Sequence, residues 1–200
     1  MSRINVELVR RALAPLGGSN ESSQVSKGLA AVALVLAGGD SDLSLCFIHR
    51  AEREGDPWSG HMAFPGGRAS MSDATVQAVA EREVMEEIGL RLSPDSFVGT
   101  LPPIPIRRLA IDTGMVLFPF VYYVGVDRAP LSLNHEVAEA FWISLDYLWD
   151  RRNATTMEVP YDGVPIVFPA IRFKDQHIWG LTFRVLSEFA GLAGDPLPQG

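Results

Sequence analysis

Apolar and polar positions change their period several times along this chain, and each period implies an element. Residues 4–16 put Ile4, Leu8, Val9, Ala12, Leu13 and Leu16 at helical spacing, and Pro15 with Gly17-Gly18 ends the pattern. The polar run 18–27 reads as a loop. Residues 29–36 are apolar without interruption and bounded by Gly38-Gly39 and Asp40-Ser41-Asp42, which reads as a buried strand. Alternation over 43–49 lets that segment pair with it as a hairpin. The Gly- and Pro-rich stretch 51–68 reads as a long loop, which a compact domain keeps only for a reason. From 73 to 88 the period is helical again: Val76, Ala80, Val84 and Ile88 recur every four residues, and Gly89 follows as a stop signal. Strand-like runs come next at 97–101, 115–124, 138–143 and 164–173. Residues 145–149 read as a short helix capped by Ser144, and 181–193 as a last helix before a proline-bearing tail at 194–200. No repeat, heptad run or linker divides the chain, so the expectation is one α+β domain over 1–200, with an N-terminal helix in 1–17.

Composition agrees with a globular domain: 200 residues, 47% hydrophobic and 20% charged. The net charge of −7 argues against nucleic acid or an anionic membrane surface as partner and fits a site that collects cations. The single cysteine, Cys46, excludes an intramolecular disulfide and a Cys-rich zinc cage; in an apolar strand it reads as a buried thiol. The histidines at 49, 61, 135 and 177 show no His-x-x-x-His spacing. The longest apolar run, 29–37, is half a bilayer span, and charges interrupt the apolar positions of the N-terminus, which is not a signal peptide. A cytoplasmic protein with no membrane partner is the expectation.

The chemistry concentrates in Phe64-Pro65-Gly66-Gly67-Arg68 and in the segment from Arg82 to Leu90. At about 100° per residue, Glu83, Glu86 and Glu87 share one helix face beside the apolar stripe, whereas Glu81 projects away from it. Carboxylates so close repel one another unless something positive compensates. Oxygen ligands alone suit a hard cation, Mg²⁺ or Mn²⁺, better than zinc. A solvated acidic helix face is the plain alternative. The Pro-Gly-Gly turn, where backbone can approach a ligand closely, shifts the balance toward a metal site, with a carbonyl from that turn as a further ligand.

These residues resemble the box of the Nudix hydrolase family: Gly, five residues, Glu, seven residues, then Arg-Glu-aliphatic-x-Glu-Glu-x-Gly-aliphatic. Gly67 opens it, and Arg82, Glu83, Val84, Glu86, Glu87, Gly89 and Leu90 match its second half. The first half departs from it. Asp73 stands where Glu would, with eight residues between it and Arg82, and counting back from Arg82 puts Ala74 there. Softer signals are similar to the coenzyme A diphosphatase branch: the run His61 to Arg68, Leu101-Pro102-Pro103 with Pro119-Phe120, Glu136-Val137 with Phe141-Trp142, and Ile178 to Thr182. In the upstream motif of that branch Asp56 occupies the place of an Arg.

The resemblance implies a Nudix-type α/β/α sandwich, with a mixed β-sheet between helices, that hydrolyses a diphosphate linkage. Mg²⁺, with Mn²⁺ as substitute, would be held by Glu83, Glu86, Glu87 and the Gly66 carbonyl. Arg82 would hold the glutamates in place. A distal acid, Glu136 first and Glu139 second, would be a further ligand or general base. Arg50, Arg53, Trp58 and Arg68 are the substrate-binding candidates, although Arg50 and Arg53 read equally well as surface residues. Trp179 reads as core at the start of a helix, and His135 as a solvated loop residue beside Glu136. Three readings stay open: coenzyme A or an acyl derivative as substrate; ADP-ribose, a nucleotide sugar or a nucleoside triphosphate; and a silent nucleotide-binding module. The partner is a nucleotide-type small molecule, and a homodimer is compatible with the sequence.

Overall fold

The computed structural model describes residues 4–14, 25–56, 58–108, 111–161 and 164–198. The end of the expected first helix and most of the 18–27 loop lie outside them. The first helix, α1 (Val6–Leu13), starts at Asn5, whose side chain accepts the Leu8 N–H at 2.8 Å, and it buries Val9 and Leu13.

The main sheet is built around β1 (Leu29–Ala37) and β7 (Ile111–Tyr123), which run parallel in register from Leu29/Val116 to Leu36/Tyr123. The remaining strands pair antiparallel, so the sheet is mixed. Strands β5 (Phe97–Thr100) and β6 (Ile104–Arg108) share the outer edge of β7. The expected hairpin of β1 with β2 (Ser44–Arg50) forms, but its registered pairs are Leu36/Leu45 and Ala37/Ser44. Beyond them the two strands diverge, and the segment 62–68 fills the gap. Its first strand, β3 (Met62–Ala63), pairs with β2, and its second, β4 (Gly66–Arg68), pairs with β1. β8 (Val137–Ser144) covers the other edge of β2. The stretch read as a long loop therefore contains two short strands, and the Pro-Gly-Gly turn lies inside the sheet.

Burial follows the two-residue period of the strands. Ala31, Ala33 and Val35 of β1, with Cys46, Ile48, Phe120 and Tyr122, pack against Val76, Val79, Ala80, Val84 and Ile88 of α2 (Val76–Ile88). Leu34 and Leu36, with Leu45, Phe47 and Val121, form the opposite core with Val9 and Leu13 of α1 and with Val185, Leu186 and Phe189 of α4 (Gly180–Leu192). Coverage on both faces explains why β1 is continuously apolar. The result is the expected α+β sandwich, a mixed sheet between helices.

A second, antiparallel sheet runs in the order β11 (Gln176–Trp179), β10 (Val164–Phe173), β9 (Ala154–Tyr161); the short α3 (Leu145–Leu148) is capped by Ser144 as expected. The sequence pattern does not mark β6, β9 or β11. β6 carries Pro105 and follows Pro102-Pro103, and β9 is polar and carries Pro160; both are edge strands, where proline is tolerated. β11 is four residues long, too short to show a period. No helix among the described residues is long and apolar enough to cross a membrane.

Candidate functional site

Helix α2 begins later than its periodicity suggests. Thr75 is the N-cap, its hydroxyl accepting the Ala78 N–H at 3.0 Å, and Asp73 precedes the helix in a turn. Asp73 accepts the Ser70 N–H at 2.7 Å and pairs with Arg82 Nε at 2.9 Å. The Arg82 hydrogen bond, against the opposing effect of burial, holds the Asp73 carboxyl below its ordinary range. At the far end Gly89 adopts φ 67°, a left-handed cap that suits glycine.

Arg82 is the compensating cation that the acidic face requires. Its Nη1 donates to Glu83 Oε1 and to Glu86 Oε2, each at 2.9 Å, while Nε and Nη2 hold Asp73. One guanidinium thus ties the turn before α2 to two glutamates on it. Glu81 is engaged elsewhere, accepting from Gln77 at 2.9 Å and from the Tyr122 hydroxyl at 3.1 Å.

The three glutamates differ in depth: their side chains are 54% (Glu86), 13% (Glu83) and 2% (Glu87) exposed. Glu87 accepts the Gly66 N–H at 2.8 Å, and Arg50 Nη1 stands 3.9 Å from its other oxygen. Burial pushes the Glu87 carboxyl up to about 8, opposed by that N–H, with the charges of Glu83 and Glu136 pushing the same way as burial. Burial also raises Glu83, against the pull of Arg82. Glycine is required twice beside these acids. A Cβ on Gly66 would strike the backbone of Ala31 and Val32, and a Cβ on Gly67 would fall on the Glu83 carboxylate.

The distal acid arrives through the loop before β8. Ser132 N–H donates to Ile88 O at 2.9 Å and Asn134 N–H to Glu87 O at 3.2 Å, closing carbonyls that the last turn of α2 leaves open. Two residues on, Glu136 is near enough for its charge to act on Glu83 and Glu87, and it pairs with Arg53 at 3.4 Å. Glu139 instead lies 3.8 Å from Lys174, whose ammonium sits over the Phe141 and Phe173 rings of the opposite core. The fold brings Glu136, and not Glu139, to the acidic face.

Arg50 is half-buried and pairs with Asp56 at 2.8 Å, so it is more than a surface residue. Arg53 is 72% exposed. Trp58 is half-buried with the Arg68 guanidinium 5.8 Å from its ring centroid. His135 is exposed, 4.0 Å from Glu136. Cys46 is fully buried, its thiol pushed up to about 12 by that burial, which suits an inert side chain. Trp179 is not core. The strand period turns Ile178 inward, and Trp179 lies half-buried against His61, 5.0 Å between ring centroids, and Phe168 at 5.9 Å. Sequence reasoning noted Asp56 and Asp73 as departures and found neither partner, since pairs with Arg50 and Arg82 depend on how turns fold back.

Among the described residues, no three His, Cys, Asp or Glu side chains converge closely enough to hold a metal as they stand, and Glu83 and Glu86 are both bound by Arg82. The donor set still fits a hard divalent cation. It is all carboxylate, and the missing Gly67 Cβ leaves the space that the Glu83 carboxylate uses.

Comparison with known proteins agrees with this arrangement. Residues 27–162 match the model of the NUDIX domain. A protein of Schizosaccharomyces pombe described as uncharacterised is 46% identical over 104 residues, 49% of this chain and 31% of its own length. An uncharacterised Nudix hydrolase of Yersinia pestis, NudL, is 27% identical over 132 residues, covering 66% of this chain and 64% of its own. The chain thus spans less than two thirds of either relative. A MutT/nudix family protein from Enterococcus faecalis has the same fold, with a TM-score of 0.56 at 15% identity over 96% of this chain and 76% of that one. The domain match covers the sheet, the Arg82–Glu87 cluster and the loop that carries Glu136, and this chain belongs to the Nudix family.

Proposed function

We propose that the protein is a divalent-metal-dependent diphosphohydrolase that cleaves a P–O–P linkage in a nucleotide-type substrate. The observation that carries this reading is the cluster itself: Glu83, Glu86 and Glu87 on one face of α2, bound together by Arg82, with Glu136 brought alongside. None of the three box glutamates is missing, which disfavours a silent nucleotide-binding module. The β9–β11 sheet and α4 belong to the same catalytic domain in this reading, because Ile171, Ile178 and Phe189 share a core with β1.

Mg²⁺, or Mn²⁺ in its place, held by Glu83, Glu86, Glu87 and the Gly66 carbonyl, would neutralise the diphosphate and make bound water more acidic. The chain's own residues supply the rest. Arg82 keeps Glu83 and Glu86 from repelling each other out of position. The Gly66 N–H fixes the Glu87 carboxylate against β4. Glu136 accepts the proton of the attacking water at its carboxylate, and the water oxygen bonds to phosphorus as the bridging oxygen departs with the other phosphate. Arg50, Arg53 and Arg68 face the anionic substrate, with Trp58 as an apolar wall beside them.

For the substrate we infer coenzyme A or an acyl derivative, giving 3′-phosphoadenosine 5′-phosphate and a 4′-phosphopantetheine product. The run His61 to Arg68 and the Ile178 to Thr182 segment support it. The Asp56–Arg50 pair favours a second reading, ADP-ribose or a nucleotide sugar, because it cancels a positive charge that an additional phosphate would use. A hydrolysis panel with products identified by mass separates them. Activity should vanish with EDTA and return with Mg²⁺ or Mn²⁺, and kcat/KM should be highest for coenzyme A. Full turnover in chelator would overturn the metal-dependent reading. A competitor ahead by about tenfold, roughly 1.4 kcal/mol of transition-state preference, would overturn coenzyme A and leave the broader activity standing.

A further inference from the structure

We propose that Asp56 is a positioning residue. It holds the Arg50 guanidinium off Glu87, so that Glu87 stays open to a divalent cation and Arg50 stays turned toward the diphosphate. This rests on the diphosphohydrolase reading. Arg50 closes β2, next to the register shift between His49 and Arg50. Its Nη2 donates to Asp56 Oδ2 at 2.8 Å, and its Nη1 is 3.9 Å from Glu87 Oε1, beyond hydrogen-bond length. Among the described residues its Nε is buried with no acceptor. A guanidinium offers five N–H groups, and a Glu87 oxygen lies just beyond hydrogen-bond reach of one of them. What stops Arg50 from closing on Glu87 is therefore the pull from the other side.

Asp56 is built to resist. Its Oδ1 accepts the Trp58 N–H at 3.0 Å, its own N–H donates to Arg53 O at 3.2 Å, and its carbonyl accepts the Ser59 N–H at 3.1 Å. The carboxylate is thus fixed in a turn with its second oxygen aimed at Arg50. Burial alone would raise its pKa, but the Trp58 N–H and Arg50 together hold it below the ordinary range, so it keeps its charge. Without that anchor the guanidinium swings onto Glu87, competing with the cation and withdrawing from the phosphates at once.

Asp56→Asn tests this, because the amide oxygen still accepts the Trp58 N–H while the amide nitrogen cannot accept from Arg50. Asp56→Ser is the second variant, keeping a turn-capping oxygen. Calorimetric titration with Mn²⁺ alone, and with ADP in the presence of Mn²⁺, is carried out on wild type, each variant, Arg50→Gln and the double variants, with thermal unfolding confirming the fold. Each Asp56 variant should weaken Mn²⁺ and ADP binding by about tenfold while Arg50 is present, and by nothing in the Arg50→Gln background. An equal loss in both backgrounds would show that Asp56 acts on the loop and overturn the inference; unchanged binding in the single variants would do the same. If wild type binds Mn²⁺ and ADP with this coupling but hydrolyses no diphosphate, the functional reading fails and the positioning role stands. If wild type binds neither probe, both fall.

Discussion

The Glu87 side chain is 2% exposed, takes a hydrogen bond from Gly66, and has Glu83 and Glu136 as like-charged neighbours. Such a carboxyl resists ionisation until a cation arrives. Between the ordinary value of 4.5 and about 8, the folded protein keeps a proton on Glu87 that the unfolded chain has already released. Raising the pH through that window therefore destabilises the metal-free protein, by an amount on the order of a few kcal/mol. Thermal unfolding in EDTA across pH 5–9 (about the range of the titration) should show the melting temperature falling as pH rises, and Glu87→Gln should flatten the slope. Mg²⁺ or Mn²⁺ added at the alkaline end should restore the wild type and leave Glu87→Gln unchanged, because a ligand that binds only the folded state stabilises it. A wild-type melting temperature that rises with pH in chelator would contradict this account of Glu87.

At the scale of elements, two adjacent glycines of β4 face different neighbours, and alanine at each should fail differently. A Cβ on Gly66 meets backbone of β1, which cannot yield. Gly66→Ala should open the β1–β4 pairing and cost about 1–3 kcal/mol of stability in denaturant unfolding. A Cβ on Gly67 meets the Glu83 carboxylate, which can rotate away from Arg82. Gly67→Ala should therefore unfold nearly as the wild type does while losing at least about tenfold in kcat. The reverse pattern, a destabilised but active Gly67→Ala, would mean that Glu83 is not where the chemistry needs it. The two glycines were visible in the sequence as a turn, but not as a wedge between diverging strands. That position depends on where β1 and β2 part, a tertiary choice that local pattern does not encode. The α2 face was legible because helical spacing is local: Val76, Ala80, Val84 and Ile88 pack on the sheet, and Glu83, Glu86 and Glu87 emerge beside them. Its start was not, since Thr75 and Asp73 are both good capping residues, and Asp73 is engaged instead by the Ser70 N–H and by Arg82 while Thr75 caps the helix.

Over the whole molecule, an α+β domain was legible from the uninterrupted β1 and the helical periods, and the sandwich only through the resemblance of the 67–90 segment to the Nudix box, whereas the choice between Glu136 and Glu139 was not legible. The two are three residues apart in sequence, and the fold sends them to opposite sides. The loop before β8 docks on the end of α2 through the Ser132 and Asn134 N–H groups, and that contact delivers Glu136 to the acidic face. β8 then pairs with β2, and Glu139 emerges beside Lys174 on the other core. If Glu136 takes the proton from the attacking water, Glu136→Gln should lower kcat by about 10²–10⁴-fold with a small change in KM, the range for losing a general base. Glu139→Gln removes an exposed ion pair and should leave kcat and KM unchanged. A variant of the loop, combined with Glu136→Gln, reads how Glu136 is held. Asn134→Ala removes the side-chain oxygen that accepts the Glu136 N–H at 2.8 Å, and should lower kcat in the Glu136 enzyme but not further in Glu136→Gln. Full activity in Glu136→Gln would remove this residue from the mechanism and return the base to the carboxylates of α2.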